Sequence, residues 1–507
     1  MKYCLQLLSI ISLLLVVLYK AHDGIDWYNC ADSDKYNAQC SYIDTPMVHE
    51  DTSQGTFKLF VKRVWQKNLT VEGLPHLFWN PGGPGIPSGS DPDSGVEAFS
   101  DMLYTFTGKD YALVGIDARG TGLSDLKVDC GNDHSSILPD TPPQISGAEE
   151  VLFRQQLGEY FASETSYFAN CTASSPYLSR LGTYFVADDY KHIQDMLVGR
   201  QSLINLFGES YGSFLGQVLA AKYPNRVGKF VLSGIMSPKT RSLKPALESI
   251  PDYLTSTDKV FDKFVSSCQQ SSSCNFKDIT KELVDKLTDS VYNTTNEAIL
   301  QLYPTRSKVI NTIYLTMYAP SNWNLAFGEI SKTAAIMNTM GAVTNEQMNN
   351  AVAAINCADA FITDFSIDDA INAMKGVYNN VSRRFYNQFL YQSAFTCHLY
   401  PRATFTEERI TNFSGLALSN KILFLSNAFD PILPLAQAQE TVKILGDDNA
   451  MLLQIDNGYG HTATPNGVIP DTDGCIQDRL RAYFNGENNQ DVYKCIVNDQ
   501  YYIDLYN

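Results

Sequence analysis

The feature that most constrains this chain is the segment Gly208-Glu209-Ser210-Tyr211-Gly212. Residues 203–207 before it form an apolar run typical of a buried strand, and residues 213–222 after it have a helical pattern. A serine between the two must lie on a very tight strand-to-helix turn, and flanking glycines remove the Cβ atoms that would clash there. The segment therefore predicts that Ser210 is an exposed nucleophile.

A serine hydroxyl becomes a good nucleophile only when a base takes its proton. On a turn of this kind the acid and then the histidine follow the serine in chain order, and only His398 and His461 follow Ser210. His461 lies in a glycine-rich loop directly after the apolar run 451–455, so we predict it to be the base. We interpret His398, beside Cys397, as a structural or surface histidine.

The acid is expected between Ser210 and His461, at the end of a strand. Asp430 follows the apolar run 422–425, and a carboxylate there would fix the tautomer of the imidazole and stabilise its protonated form. The alternative is a turn aspartate before a proline. Asp456 is the rival acid, but it precedes His461 too closely in the sequence to be the usual partner.

Two glycine-rich loops follow early strand patterns. An oxyanion hole needs two aimed backbone N–H groups, and we predict them at Tyr211 and at Gly83 in the Gly82-Gly83-Pro84-Gly85 loop. The alternative for that loop is an ordinary tight turn. The second loop, residues 117–124, lacks the lysine and the spacing of a phosphate-binding loop, so we expect Arg119 in an internal ion pair.

Strand patterns alternate with helices along most of the chain, which predicts an α/β fold with a mostly parallel central sheet and helices on both faces. Helical patterns dominate the middle of the chain. We therefore divide it into a signal peptide at 1–21, an N-terminal core part at 22–239, a helical cap insertion at 240–410 and a C-terminal core part at 411–507.

Composition excludes several classes of protein. With 44% hydrophobic and 18% charged residues the chain is globular, and its formal net charge of −17 opposes binding to nucleic acid or to an anionic membrane surface. Lys2, the apolar residues 5–18 and Ala21 have the pattern of a signal peptide; the alternative is a signal anchor. No other stretch is long and apolar enough for a stable membrane span.

Ten cysteines follow the signal segment, an even number that indicates disulfides. Proximity suggests the pairs Cys30–Cys40, Cys268–Cys274 and Cys475–Cys495. No CxxC pair or zinc-type histidine cluster occurs, so we expect neither a metal nor a cofactor. Five glycosylation sequons begin at Asn68, Asn170, Asn293, Asn380 and Asn412. These features predict a secreted protein or one delivered to lysosomes or vacuoles.

Several segments together resemble one family, the proline iminopeptidase and tripeptidyl aminopeptidase-like branch of α/β-hydrolase peptidases. They are NPGGPG at 80–85, DARGTGLSD at 117–125, the stretch 208–227, NAFDPILP at 427–434 and NGYGHTATP at 457–465. The segment Ile355-Asn356-Cys357-Ala358-Asp359 and the one at 397–401 resemble the secreted tripeptidyl aminopeptidase-like subgroup. The resemblance covers most of residues 50–485.

The resemblance implies an α/β-hydrolase fold and cleavage near the free amino end of peptides. In such enzymes the insertion is a cap whose acidic residues hold the substrate ammonium group, and Asp359 and Glu209 are the candidates here; the alternative is that both are structural. Serine carboxypeptidases share a similar GESY turn and an NGGPG loop, but this chain has an additional proline, Pro81.

These observations favour a serine exopeptidase that releases short peptides or single residues from the amino terminus through an acyl-enzyme. Two alternatives use the same triad, a serine carboxypeptidase and a carboxylesterase or lipase. A non-catalytic binding protein is disfavoured because all three triad positions and both oxyanion loops are filled. Peptides are the expected partners, and nucleic acid is not.

Overall fold

The computed structural model describes residues 24–30, 33–131, 139–274, 277–278, 280–293, 295, 305–324, 346–388, 394–400, 409–463, 474–487 and 492–506. Within those ranges the chain forms one ten-stranded sheet and fourteen α-helices. The signal peptide predicted at 1–21 lies outside the described residues.

The strands of the sheet, in chain order, are β1 Tyr28–Asn29, β2 Tyr36–Pro46, β3 Thr56–Gln66, β4 His76–Asn80, β5 Ala112–Ile116, β6 Ile204–Glu209, β7 Val227–Ser233, β8 Ile422–Phe429, β9 Ala450–Tyr459 and β10 Val492–Ile496. Their spatial order is β1-β2-β3-β5-β4-β6-β7-β8-β9-β10. Pairing is antiparallel from β1 through β3 to β5 and parallel from β5 to β10.

The helices, in chain order, are α1 Ser100–Thr107, α2 Gly147–Ser174, α3 Thr183–Leu197, α4 Tyr211–Lys222, α5 Ala246–Leu254, α6 Thr257–Gln270, α7 Lys281–Tyr292, α8 Arg306–Thr316, α9 Glu346–Asp359, α10 Ile367–Asn380, α11 Thr396–Leu399, α12 Leu435–Leu445, α13 Cys475–Asn485 and α14 Asp499–Asp504. Seven of them, α5 to α11, lie between β7 and β8, so the described part of the insertion is helical.

The central strands are buried on both faces. Every residue of β4 and β5 is buried. Consecutive strand residues point to opposite faces, and Phe78 packs on Tyr190 of α3 whereas Trp79 packs on Phe99, directly before α1. Helices therefore cover both faces of the sheet, which explains the continuous apolar runs and confirms the predicted fold class.

The order of the strands determines where a site can form. After β4 the chain forms β5 on one side of β4, and it then crosses over to form β6 on the other side. The direction in which new strands are added to the sheet therefore reverses between β4 and β6. In open parallel sheets such a reversal opens a crevice at the carboxyl ends of the strands. Ser210 follows β6, Asp430 follows β8 and the loop with His461 follows β9, so all three lie at this edge.

Five disulfides staple the described chain. Three are the pairs that proximity predicts, Cys30–Cys40, Cys268–Cys274 and Cys475–Cys495. The other two, Cys130–Cys171 and Cys357–Cys397, join cysteines 41 and 40 residues apart. Among the helices of the described ranges, none is long and apolar enough to cross a membrane.

Candidate active site

The turn between β6 and α4 holds Ser210 in an uncommon backbone conformation, with φ 53° and ψ −117°. A Cβ on Gly208 would lie 2.5 Å from the carbonyl oxygen of Gly212, and one on Gly212 would lie 2.7 Å from that of Asn80. Both flanking glycines are therefore required sterically, as the sequence predicts. Ser210 is half-buried, so its side chain is accessible at the edge of the sheet.

The imidazole of His461 pairs with the carboxylate of Asp430, at 2.9 Å from Nδ1 to Oδ2 and 3.1 Å to Oδ1. Both side chains are buried. The carboxylate also accepts hydrogen bonds from three backbone amides, those of Ile432, Leu433 and Thr462. Because Nδ1 faces the acid, Nε2 is the nitrogen left to take a proton from a serine hydroxyl.

The end of β7 connects the serine turn to the histidine loop. The carbonyl oxygen of Ser233 accepts the amide hydrogen of Ser210 at 2.9 Å, and its hydroxyl oxygen accepts that of Ala463 at 2.9 Å. A Cβ on the next residue, Gly234, would lie 3.3 Å from Cε1 of His461. Ser233 therefore holds both loops, and the missing side chain of Gly234 leaves room for the imidazole beside it.

Asn427 also holds the histidine loop, although its sequence context does not predict this role. Its side-chain amide donates to the carbonyl oxygens of Gly460 at 2.9 Å and Thr462 at 2.7 Å, on both sides of His461. It lies in β8, three residues before Asp430, so one strand supplies both the acid and the amide that shapes the loop. Asn427 belongs to the Asn-Ala-Phe-Asp segment that also contains the predicted acid. The sequence alone does not indicate what a buried asparagine side chain binds.

The glycine loop after β4 lies directly on the serine turn. A Cβ on Gly82 would lie 2.8 Å from Cβ of Ser210 and 3.2 Å from the amide nitrogen of Tyr211. The amide of Gly82 donates to the side chain of Asn80 at 3.0 Å, so Gly83 supplies the next amide of the loop. Tyr211 begins α4, where backbone amides lack a helical partner. This geometry is compatible with the predicted donor pair.

The insertion reaches the site at two points. The carbonyl oxygen of Tyr318 accepts the amide hydrogen of His461 at 2.7 Å, and the two rings meet edge to face at 5.2 Å. Burial, with a smaller effect of the Asp430 charge, raises the pKa of Tyr318 above its usual value, so its hydroxyl stays neutral. A Cβ on Gly85 would lie 2.7 Å from the side chain of Val352 in α9.

The two candidate ammonium ligands are both buried. Glu209 is the last residue of β6 and is fully buried directly before Ser210. Asp359 ends α9 and pairs with Arg241 at 3.0 Å. Asp359 also accepts the backbone amide and the hydroxyl of Thr183, at 2.9 and 2.7 Å. A role for either carboxylate in substrate binding stays a prediction.

The remaining predictions of residue roles can be compared with specific contacts. Arg119 is fully buried and forms a two-point ion pair with Asp189, at 2.6 and 2.8 Å, which confirms the predicted internal pair. His398 stacks on Phe365 at 4.0 Å, in an aromatic cluster of the insertion. The rival acid Asp456 lies near Lys494, whereas Asp430 holds His461.

The surface carries the five sequon asparagines. Asn68, Asn170, Asn293, Asn380 and Asn412 are all exposed. In the described parts of the chain, no group of three or more histidine, cysteine, aspartate or glutamate side chains is placed to hold a metal ion.

Comparison with known proteins gives a family and several relatives. Residues 75–464 match the family described as the alpha/beta hydrolase fold. Serine protease Hip1 of Mycobacterium tuberculosis is 24% identical over 92% of this chain and 90% of its own length. Carboxylesterase B of the same species is 23% identical over 90% of this chain and 87% of its own. Tripeptidyl aminopeptidase of Streptomyces coelicolor is 28% identical over 43% of this chain and 39% of its own.

Proposed function

This chain belongs to the α/β-hydrolase fold family, and we propose that it is a serine exopeptidase that cleaves peptides near their free amino end. That it is a serine hydrolase follows from the family and from its relatives. The observation that carries the catalytic assignment is the 2.9 Å pair between His461 and Asp430, at the same sheet edge as the strained turn of Ser210.

The proposed reaction begins with attack of Oγ of Ser210 on the scissile carbonyl carbon, while Nε2 of His461 takes the hydroxyl proton. Asp430 holds the imidazole in the required tautomer and stabilises its positive charge. In the proposed reaction, the negative oxygen of the tetrahedral intermediate accepts hydrogen bonds from the amides of Tyr211 and Gly83. His461 then gives its proton to the leaving amine, which carries the carboxyl-terminal part of the substrate.

The second half of the reaction releases the amino-terminal part. It remains as an ester on Ser210 until His461 removes a proton from water, which attacks the same carbonyl carbon. Collapse of the second tetrahedral intermediate returns the proton to Ser210 and frees the new carboxylate.

Action at the amino end is supported by the relative named tripeptidyl aminopeptidase, and peptidase action in general by the relative named serine protease Hip1. We propose that residues 240–410 form a cap over the crevice, since described parts of this insertion contact both the glycine loop and the histidine loop. A cap that limits the depth of the site is the expected device for exopeptidase action. Of the two carboxylates predicted to bind the substrate ammonium group, Glu209 is the proposed ligand, because Asp359 already accepts hydrogen bonds from Thr183 and Arg241.

Carboxylester hydrolysis is the second candidate function. A relative named carboxylesterase B aligns over 90% of this chain at 23% identity. The same serine chemistry acts on esters and amides, so only the lining of the crevice would differ.

We also propose that the protein is exported and glycosylated. Five disulfides are typical of an oxidising compartment, and all five sequon asparagines are exposed.

The test compares turnover of a tripeptide amide reporter with and without an acetylated amino end, using Ser210→Ala as the control. We expect the free-amine substrate alone to be cleaved, and the alanine variant to be inactive. Equal cleavage of the acetylated reporter would contradict aminopeptidase action. Turnover of a short acyl ester with no cleavage of either amide would favour the esterase.

A further inference from the structure

We propose that Asp359 is a positioning residue that fixes the oxyanion donor Tyr211 through Thr183, and so connects the insertion to the serine turn; this inference rests on the proposed function. The motif Ile355-Asn356-Cys357-Ala358-Asp359 is prominent in the sequence, yet the proposed mechanism assigns no chemical step to it. The contacts of Asn356, Cys357 and Asp359 indicate why polar residues and a cysteine occur together in this motif.

A buried chain of hydrogen bonds leads from the serine turn into the insertion. The hydroxyls of Tyr211 and Thr183 are 2.6 Å apart, and Oγ1 of Thr183 lies 2.7 Å from Oδ2 of Asp359. An ionised carboxylate only accepts, so the Thr183 hydroxyl donates its one proton to Asp359. The Tyr211 hydroxyl must then donate to Thr183. We call these three side chains the relay.

The far end of the relay is anchored in the insertion. Nη2 of Arg241 donates to Oδ2 of Asp359 at 3.0 Å and to the side-chain oxygen of Asn356 at 2.7 Å. The adjacent Cys357 is tied to Cys397 by a disulfide. The polar residues of the motif therefore hold one another and Arg241, and the cysteine fixes the end of α9.

Asp359 also caps a core helix. Thr183 is the first residue of α3, and its backbone amide donates to Oδ1 of Asp359 at 2.9 Å. A carboxylate at a helix amino terminus satisfies an unpaired amide and interacts favourably with the helix dipole. With three donors on its two oxygens, Asp359 has little capacity left for a substrate ammonium group.

The relay bears on catalysis because it ends at Tyr211, the residue directly after the predicted nucleophile. Its side chain is 2% exposed, and its own amide is the predicted oxyanion donor. Burial, and to a lesser degree the Asp359 charge, raises the pKa of Tyr211 well above its usual value, so the hydroxyl remains a donor. Since oxyanion donors act only when they are aimed in advance, the hydrogen bond from the Tyr211 hydroxyl to Thr183 helps to keep the Tyr211 amide in position.

Three variants test the relay. Thr183→Val keeps the shape of the side chain but removes the hydroxyl, Thr183→Ser restores it, and Asp359→Asn replaces the carboxylate. Asp195→Asn is the matched control, because it removes the charge from another ion pair of α3, with Arg226 at 2.7 Å, and Arg226 directly precedes β7 at the opposite end of the strand from the site. For each variant kcat and KM are measured with the free-amine and the acetylated tripeptide amide, and the rate of labelling by a fluorophosphonate is measured in parallel.

We expect kcat and the labelling rate to fall about tenfold in Thr183→Val and Asp359→Asn, a part of the roughly hundredfold loss typical of removing one oxyanion donor. KM and the preference for the free amine should stay within about twofold of wild type, because a positioning residue does not contact the substrate. Thr183→Ser should recover most of the rate, and Asp195→Asn should retain all of it.

Two results would overturn the proposal. One is an unchanged kcat and labelling rate in Thr183→Val. The other is loss of the free-amine preference in Asp359→Asn with an unchanged labelling rate, which would make Asp359 the ammonium ligand. If Asp359→Asn does not fold, Thr183→Val decides alone. If wild type cleaves no peptide, the proposed function fails, while the labelling rates still decide the role of the relay.

Discussion

At the scale of single residues, His76 is a buried base outside the proposed mechanism. It is the first residue of β4 and is only 7% exposed, and neither ring nitrogen has a hydrogen-bond partner in the described residues. Burial, with a smaller effect of the Arg63 charge, lowers its pKa from 6.5 to about 4. The folded protein therefore holds this imidazole neutral under conditions in which the unfolded chain takes up a proton.

This shift predicts a loss of stability on acidification. The pKa of His76 is lower in the folded protein than in the unfolded chain. The contribution of the neutral imidazole to the free energy of unfolding is therefore complete above pH 6.5 and declines as the pH falls toward 4. The free energy of unfolding falls by about 3 kcal/mol in all, since each unit of pKa difference corresponds to about 1.4 kcal/mol. In His76→Leu this part of the decline should be absent. Urea unfolding of both proteins between pH 7 and pH 4 measures it, and parallel stability curves would contradict it.

At the scale of elements, the histidine loop is held from two directions. On the side of the sheet, Asn427 of β8 holds the loop by two hydrogen bonds. On the side of the insertion, the segment after α8 contacts the loop through Tyr318 and Pro320. Gly460 has φ 110°, and a Cβ there would lie 2.7 Å from the ring of Pro320. The insertion and the catalytic loop are therefore in direct contact, and movement of one must be accommodated by the other.

We expect Tyr318→Ala to lower kcat about tenfold with a smaller change in KM, because the imidazole loses the ring that packs against its edge and small misplacements reduce rate steeply. Tyr318→Phe keeps the ring and should stay close to wild type. Steady-state kinetics on the two variants distinguish positioning from a role of the hydroxyl. An unchanged kcat in Tyr318→Ala would contradict a positioning role of the ring. Equal losses in both variants would favour a role of the hydroxyl.

The sequence predicted the elements that carry the site better than those at the edges of the sheet. The apolar runs at 203–207, 422–425 and 451–455 overlap β6, β8 and β9, because strands buried on both faces are apolar throughout. β2 and β10 were not identified. β2 contains polar residues and Pro46, and its pairing with β3 over eleven residues is a non-local stabilisation that no local pattern reveals.

At the scale of the whole molecule, the candidate site combines segments that are distant in sequence. Each triad position could be predicted because each has a local pattern, a strand followed by a short polar loop. The relay and the Tyr318 contact could not, since they depend on how the insertion packs on the core. The disulfides divide in the same way: the three closest pairs follow from proximity, whereas Cys130–Cys171 and Cys357–Cys397 require the fold.

The assignment of Ser210 as the nucleophile is tested most directly by covalent labelling of the purified protein with a fluorophosphonate, followed by mapping of the modified peptide by mass spectrometry. We predict a single adduct on Ser210, no adduct in Ser210→Ala, and labelling that is slowed strongly in His461→Ala and less in Asp430→Ala. An adduct on another residue, or unchanged labelling of Ser210→Ala, would contradict the assignment of this turn as the nucleophile.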